Sequence, residues 1–255
     1  MQSNDNDVLV YAAQALGHLV TPGGAFTADV VDSEVKAALE WLTSDRQESR
    51  RFAAVLVIRE LAKNSPTLLY AYVPQILECI WVALRDTKVL IRETAAEAVG
   101  ACFDIISARD ATLRQQWFTK MFDELLQGLK VNNIEYTHGS LLTLKELLLE
   151  GNMFMHEHYR EACEIVLRFR DHREVKIRGQ IVIIVPILAG YAPMEFSTTY
   201  LHRFMTYLLG QLKKDKERNE SFLAIGKVAS AVGSAIAPYL DSILVYIREG
   251  LSVKA

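Results

Sequence analysis

From Phe52 to Leu61 nearly every position is apolar, and Val55, Leu56, Val57 and Ile58 run consecutively. A helix that is apolar all round must be covered on more than one side, so this stretch predicts a buried helix with neighbours before and after it. Ser44 and Asp45 offer side-chain acceptors for the free N–H groups at its start, and Glu48 stands three residues past Asp45 as in a capping box. Pro66 prevents simple continuation. The flanking pattern is also helical. Val8, Ala12, Ala15, Leu16 and Leu19 share one face, Thr21 to Gly24 breaks it, and Thr27 caps a second helix whose Val31, Val35, Ala38, Leu39 and Leu42 line up. Tyr70 to Leu84 predicts a further helix with Pro74 in its first turn, where a missing N–H costs little. Asp86-Thr87-Lys88 turns, and Val89 to Ile106 is helical again.

The helix–turn–helix unit then recurs. Trp117–Lys130 pairs with Ile134–Leu149, His158–Arg170 with Val175–Gly190, and Thr198–Leu212 with Glu220–Val232; Ile236–Leu251 stands last. Ile181 to Val185 is β-like by propensity, but it occupies the place of a second helix, so repeat position predicts a helix kinked at Pro186. The turns align in one column, Asp45, Asp86, Asn132, His172 and Asp215. Six residues on lies another, Arg51, Arg92, His138, Arg178 and Ser221, stepping by 41, 46, 40 and 43 residues. Paired helices at that period mark a stacked array of HEAT type. The expected fold is all-α, an α-solenoid (superhelix) of antiparallel helix pairs of the HEAT/armadillo kind. It is read as one segment over 1–255, with units near 8–20 (partial), 27–66, 70–108, 117–150, 158–190, 198–232 and 236–255 (partial). Asp45, Arg51, Asp86, Arg92 and Arg178 are expected to form a structural ladder along the stacked turns, partial at His172 and degenerate at Asn132/His138 and Asp215/Ser221. First helices match as well: Val73, Ile76, Leu77 and Ile80 have the same spacing as Leu240, Ile243, Leu244 and Ile247.

Composition narrows the function classes. The 255 residues are 51% hydrophobic with net charge −3, from 28 basic and 31 acidic residues, so no broad basic excess points to nucleic acid. Cys79, Cys102 and Cys163 are odd in number and far apart, as in a reducing compartment. The longest apolar run, Ile181 to Ala189, has nine residues against the ~20 a spanning helix needs, so no direct membrane insertion is expected. His156 and His158, two residues apart, do not share a helix face and lack further ligands at zinc spacing; no metal or cofactor is expected in this segment. Trp41, Trp81 and Trp117 read as packing residues. Gly23-Gly24 lacks the following Lys-Ser/Thr of a phosphate loop. The mixed-sign run from Lys213 to Arg218 reads as a solvated turn, with Lys213, Lys214, Lys216 and Arg218 the candidate contacts for an acidic partner. No nucleophile–base–orienter constellation is present, so the segment is not expected to be an enzyme by itself.

Several stretches carry a family resemblance. Phe26–Asp29, Glu34–Leu42, Arg50–Ala62, Ile91-Arg92-Glu93, His138-Gly139, Lys213–Gly226 and Tyr239–Leu244 resemble, in order, the N-terminal HEAT region of the target-of-rapamycin serine/threonine kinases, which belong to the phosphatidylinositol-kinase-related class. The wording is closer to fungal than to animal members, and 153–199 is its least familiar part. The resemblance implies an excised scaffold segment that holds regulatory subunits and helps form the dimer in two nutrient- and growth-signalling complexes. It also implies a cytoplasmic protein recruited to endomembrane (vacuole or lysosome) surfaces. Catalysis, with ATP and a divalent metal, would reside in a separate C-terminal domain with the rapamycin-binding bundle nearby; no catalytic residue carries over to this chain. Apolar faces at the ends of the array predict self-association. The competing reading is a HEAT-repeat adaptor or carrier of the nuclear-transport-receptor or phosphatase-scaffold type.

Overall fold

A computed structural model describes residues 6–44, 47–109, 111–214 and 216–252, and among these there is no strand. The elements are α1 (Asn6–Val20), α2 (Ala25–Ser44), α3 (Glu48–Asn64), α4 (Pro66–Leu69), α5 (Val73–Cys79), α6 (Trp81–Leu84), α7 (Val89–Ser107), α8 (Ala111–Lys130), α9 (Ile134–Glu150), α10 (Asn152–Phe169), α11 (Val175–Tyr191), α12 (Pro193–Glu195), α13 (Leu201–Gln211), α14 (Arg218–Val232) and α15 (Leu240–Leu251). They form two compact units that divide between Phe154 and Met155.

In the first unit α3 packs against α1, α2 and α7, and α9 against α7 and α8. Second helices α1, α3, α7 and α9 therefore stack one on the next, with first helices laid beside them. Phe52, Ala54 to Ile58, Leu61 and Ala62 of α3 are all buried, which is what an all-round apolar helix requires. Its start differs from the expected capping box: α2 continues through Ser44, and extended Gln47 is the N-cap, with no side-chain cap bond. Asp45 lies outside the described residues. The predicted single helix Tyr70–Leu84 is instead broken into a 3-10 turn, Tyr70–Tyr72, then α5 and α6. Pro74 has no N–H to donate and a fixed φ, and Ala83 N–H bonds back to Ile80 O three residues away, tightening the second joint. Phe103, Phe118, Phe122 and Phe154 form an aromatic cluster with centroids 5.1, 5.7 and 5.9 Å apart.

In the second unit α14 packs against α11 and α13. The β-like run Ile181–Val185 lies inside α11, whose helix continues past Pro186 to Tyr191. Tyr159 donates its hydroxyl to Leu188 O at 3.0 Å and stacks on Tyr191 at 5.8 Å, tying α10 to α11. A π-helical turn, Phe196–Tyr200, joins α12 to α13 and places Phe196 flat on Phe204. Gly233 ends α14 at φ +57, a left-handed position suited to glycine, and a 3-10 turn, Gly233–Tyr239, leads into α15. The helical stretch Arg218–Leu251 is long and apolar enough, by length and composition, to cross a membrane. Gly233, Pro238 and the 3-10 turn interrupt its α-helical backbone. A buried counterpart lies in the same chain: Val73, Ile76, Leu77 and Ile80, at the spacing of Leu240, Ile243, Leu244 and Ile247, are at most 1% exposed. On α15 only Ile243 is buried; Leu240, Leu244 and Ile247 are 37% to 44% exposed.

Gly139 sets how closely α9 approaches the end of α6. A Cβ built there would lie 1.9 Å from the Leu84 carbonyl oxygen, whereas at Gly179 in α11 it would meet nothing within 4 Å. Gly139→Ala should therefore force backbone displacement and cost at least about 1–3 kcal/mol, while Gly179→Ala should be neutral or stabilising by up to ~1 kcal/mol from helix propensity. Thermal unfolding followed by circular dichroism separates the two; equal melting temperatures would refute the close approach.

Candidate interaction surface

The turn between paired helices is built by arginine. Asp86 caps its own turn, accepting from Lys88 N–H at 2.8 Å, and receives Arg51 Nε of the preceding pair at 2.6 Å. Arg92, 2% exposed, donates to the carbonyls of Asp86 and Thr87 at 2.5 and 3.2 Å, and through Nε to His138 Nδ1 at 3.1 Å. Burial pushes the Arg92 guanidinium below its ordinary value, opposed by nearby Glu135, Asp86 and Glu93. His138 thus stands where another turn acid would, as an acceptor. Asn133, not Asn132, makes the cap of α9, accepting from Tyr136 N–H at 3.0 Å.

The second unit repeats the arrangement. His172 Nδ1 accepts from Glu174 N–H at 3.1 Å, as Asp86 does from its own turn. Arg178 donates to His172 O and Arg173 O at 2.8 and 2.9 Å, and its fork holds the Glu217 carboxylate at 2.9 and 2.5 Å. Asp215, the residue the aligned columns selected, lies outside the described residues; the acid on Arg178 is Glu217. Nor is Ser221 the arginine equivalent. It is fully buried, and its hydroxyl donates back to Glu217 O at 2.6 Å. Arg218 takes that role, donating to Leu212 O at 2.9 Å, six residues earlier, as Arg92 and Arg178 do to their own turns. Of the four basic residues read as partner contacts, Arg218 is thus half-buried and belongs to the turn, while Lys213, Lys214 and Lys216 are exposed. Glu217 and Arg218 were legible only as a charge run; the signal for them is the constant six-residue return to a carbonyl at or just past the first helix's end.

Ion pairs link successive helix pairs: Arg59 to Glu97, Lys120 to Glu78, Arg85 to Glu124 and Arg203 to Glu164, at 2.7 to 3.1 Å. Each is worth about 0–1 kcal/mol at such exposure. Arg85 also lies over Trp81 and Tyr136, 4.8 and 4.6 Å from the ring centroids. Trp81 is buried and Trp41 and Trp117 are half-buried. The buried thiols of Cys102 and Cys163 are pushed up to about 12 by desolvation, so they stay protonated and are poor nucleophiles. Among the described residues no group of three His, Cys, Asp or Glu could hold a metal. His158 instead lies 3.7 Å from Glu161.

Two consequences are measurable. Arg178→Met leaves the Glu217 carboxylate, 4% exposed in its side chain, without its fork and should cost about 3–5 kcal/mol. A double-mutant cycle with Glu217→Gln should recover part of that loss; strict additivity would mean that the pair does not couple. Burial, then the neighbouring Arg173, lowers His172 from its ordinary 6.5, with Glu174 opposing and Arg178 adding to the effect. The unfolded chain therefore takes up this proton first. The contribution of His172 is complete above about pH 6.5, falls as pH drops below it, and levels off only below the depressed folded value. His172→Asn keeps an acceptor for Glu174 N–H without titrating, so denaturant unfolding between pH 8 and 5 should show a shallower loss than in the wild type.

A family model described as a HEAT-like repeat matches residues 48–101, the segment holding α3, Asp86 and Arg92. Serine/threonine-protein kinase tor1 of Schizosaccharomyces pombe is 46% identical over 254 residues, covering 100% of this chain and 11% of the kinase. Serine/threonine-protein kinase TOR of Arabidopsis thaliana is 40% identical, covering 97% of the chain and 10% of the kinase. The chain thus spans about a tenth of the length of the curated relatives it matches. Among solved structures, a mutant of Kap121p superposes with a TM-score of 0.69 at 12% identity, over 99% of this chain and 26% of that one; at that identity the likeness is one of fold, a HEAT solenoid. Across its whole length this chain is similar to one segment of the target-of-rapamycin serine/threonine kinases.

Proposed function

We propose that the chain is the interaction scaffold of a target-of-rapamycin-like kinase, docking regulatory subunits and contributing to dimer assembly in nutrient- and growth-signalling complexes. The observation that carries this reading is identity of 46% and 40% to such kinases along the whole chain. Stacked helix pairs present extended surfaces for protein partners, and the cation-bearing turns are partly solvent-facing. Catalysis, with ATP and a divalent metal, would belong to a separate domain of the parent kinase, acting from the cytoplasm or from endomembrane surfaces to which the complex is recruited. The carrier reading is favoured by shape alone, since Kap121p shares the fold at 12% identity. Affinity capture with the purified 255-residue chain from a fungal lysate, followed by mass spectrometry, tests the two. Enrichment of target-of-rapamycin complex subunits over a scrambled-charge HEAT control is the expected result. Enrichment of transport factors or phosphatase subunits instead would replace the scaffold reading with the carrier one.

A further inference from the structure

A groove of about 470 Å³ runs along the outer face of α13. His202, Arg203, Thr206, Tyr207, Gly210, Gln211 and Lys214 line it at helical spacing, and Arg170 and Asp171 close its far wall from the end of α10. From His202 to Gln211 the helix rises about 14 Å, the reach of about four extended residues at ~3.3 Å each. The floor is small-residue backbone: a Cβ at Gly210 would meet nothing within 4 Å. Arg170, Arg203 and Lys214 supply three cations to the walls against one carboxylate, Asp171, which Arg170 engages at 3.1 Å. Lys213, Lys214 and Lys216 are exposed, and none of them forms an ion pair among the described residues.

This charge is not a by-product of the repeat. The corresponding groove on α8 is lined by Gln115, Gln116, Thr119, Lys120, Asp123, Glu124 and Gln127, with two acids to one base. Lys120 there is engaged by Glu78 as Arg203 is by Glu164, so what sets the α13 groove apart is Lys214 and the single wall acid. A second groove, at the starts of α3 and α7, has Glu48 and Lys88 neutralising one another at 3.2 Å. Of these three grooves, only that on α13 combines excess cations with an orphaned acceptor. Gln211 is 3% exposed and its Oε1 has no hydrogen-bond partner. A buried acceptor left unsatisfied is costly. Phosphate oxygens cannot satisfy it, whereas the backbone N–H of an extended peptide can.

We propose that the α13 groove binds an extended acidic peptide segment of a partner protein. Carboxylates of the peptide pair with Arg203, Lys214 and Arg170, and one of its backbone N–H groups donates to Gln211 Oε1. The proposal rests on the scaffold reading and names the chemistry of one docked partner. Arg203 is already shared with Glu164 in a two-oxygen contact at 2.8 and 3.4 Å, so the incoming carboxylate competes for it, while Lys214 is available outright.

Fluorescence anisotropy of a labelled peptide of about 12 residues alternating Asp or Glu with Gly or Ser provides the test, using the 255-residue chain. Saturable binding is expected, weakening at least tenfold between low salt and 0.3 M salt as screening shortens to within the groove. The Asn/Gln version of the peptide should not bind. Arg203→Glu with Lys214→Glu should weaken binding more than tenfold at unchanged melting temperature. Thr206→Glu, which puts a carboxylate on the floor without removing an ion pair, should do the same and guards against a folding artefact; Lys120→Glu on α8 should have no effect. Gln211→Ala should weaken the peptide severalfold and leave binding of inorganic polyphosphate and of anionic phosphatidylserine vesicles unchanged. Equal binding of the neutral peptide, indifference to both groove variants, or tighter capture of polyphosphate or vesicles with no Gln211 effect would each overturn the proposal. Lysate capture with the same variants separates the two readings. Complex subunits retained despite loss of peptide binding leave the scaffold intact without this groove, whereas peptide binding without any complex subunit leaves the groove intact without the scaffold.

Discussion

The guanidinium bonded to a carbonyl six residues behind it, at or just past the end of a first helix, is the contact on which the repeat depends. The chain must reverse at once there to begin a second helix, and buried turn carbonyls need partners. Arg92 and Arg178 reach back to the turn carbonyls of Asp86 and His172, and Arg218 to that of Leu212 at the end of α13, where a cation also lies near the negative end of the helix dipole. The remaining N–H groups of Arg92 and Arg178 point onward, to His138 and Glu217 respectively, as Arg51 points to Asp86. One planar side chain thus closes a turn and registers the next pair against it. Lysine, a point charge with no fork, could do one of these tasks but not both. Burying such a group gains little net stability, because desolvation opposes the new bonds; its yield is a fixed register between helix pairs.

Much of this was legible in the sequence because helical periodicity and repeat length are both long-range signals. The position of Ile181–Val185 within the repeat outweighed its β-propensity, and the run is helical in α11. What was not legible came from chemistry shared among different residue types. Asp86 and His172 cap their turns in the same way, and His138, which the columns aligned with the arginines, accepts from Arg92 as Asp86 and Glu217 accept from Arg51 and Arg178. Aligning by acidity therefore pointed to Asp215 and Ser221 and passed over Glu217 and Arg218. The breaks that divide Tyr70–Leu84 come from hydrogen-bond accounting around Pro74 and Ile80, and the contact of Gly139 with the Leu84 carbonyl depends on a neighbour 55 positions away. Neither leaves a trace in the periodicity of apolar residues.

Fold and surface carry different information. At 12% identity the same stacked helices recur in Kap121p, since burying one apolar stripe per helix has few solutions. The outer faces are not so constrained. Those of α8 and α13 hold equivalent places on first helices, yet one is acidic and amide-rich and the other basic. Partner choice in such arrays is written in these solvent-facing residues, which backbone comparison does not see.

The six-residue return also governs where the chain can change length. Between the tethered carbonyl and its arginine the spacing is the same in three turns, so an insertion there would strip the carbonyls and the following acid of their partner together. The connection from α1 to α2 carries no such arginine among the described residues, unlike that from α7 to α8, where Arg114 returns to Ser107 O at 3.3 Å. Thr21–Gly24, with Gly23 and Gly24 at φ +76 and +104 and open space around both, is a place where added residues would leave every turn arginine in register. Loops grown during divergence, and epitopes or reporter domains inserted by design, belong at that connection.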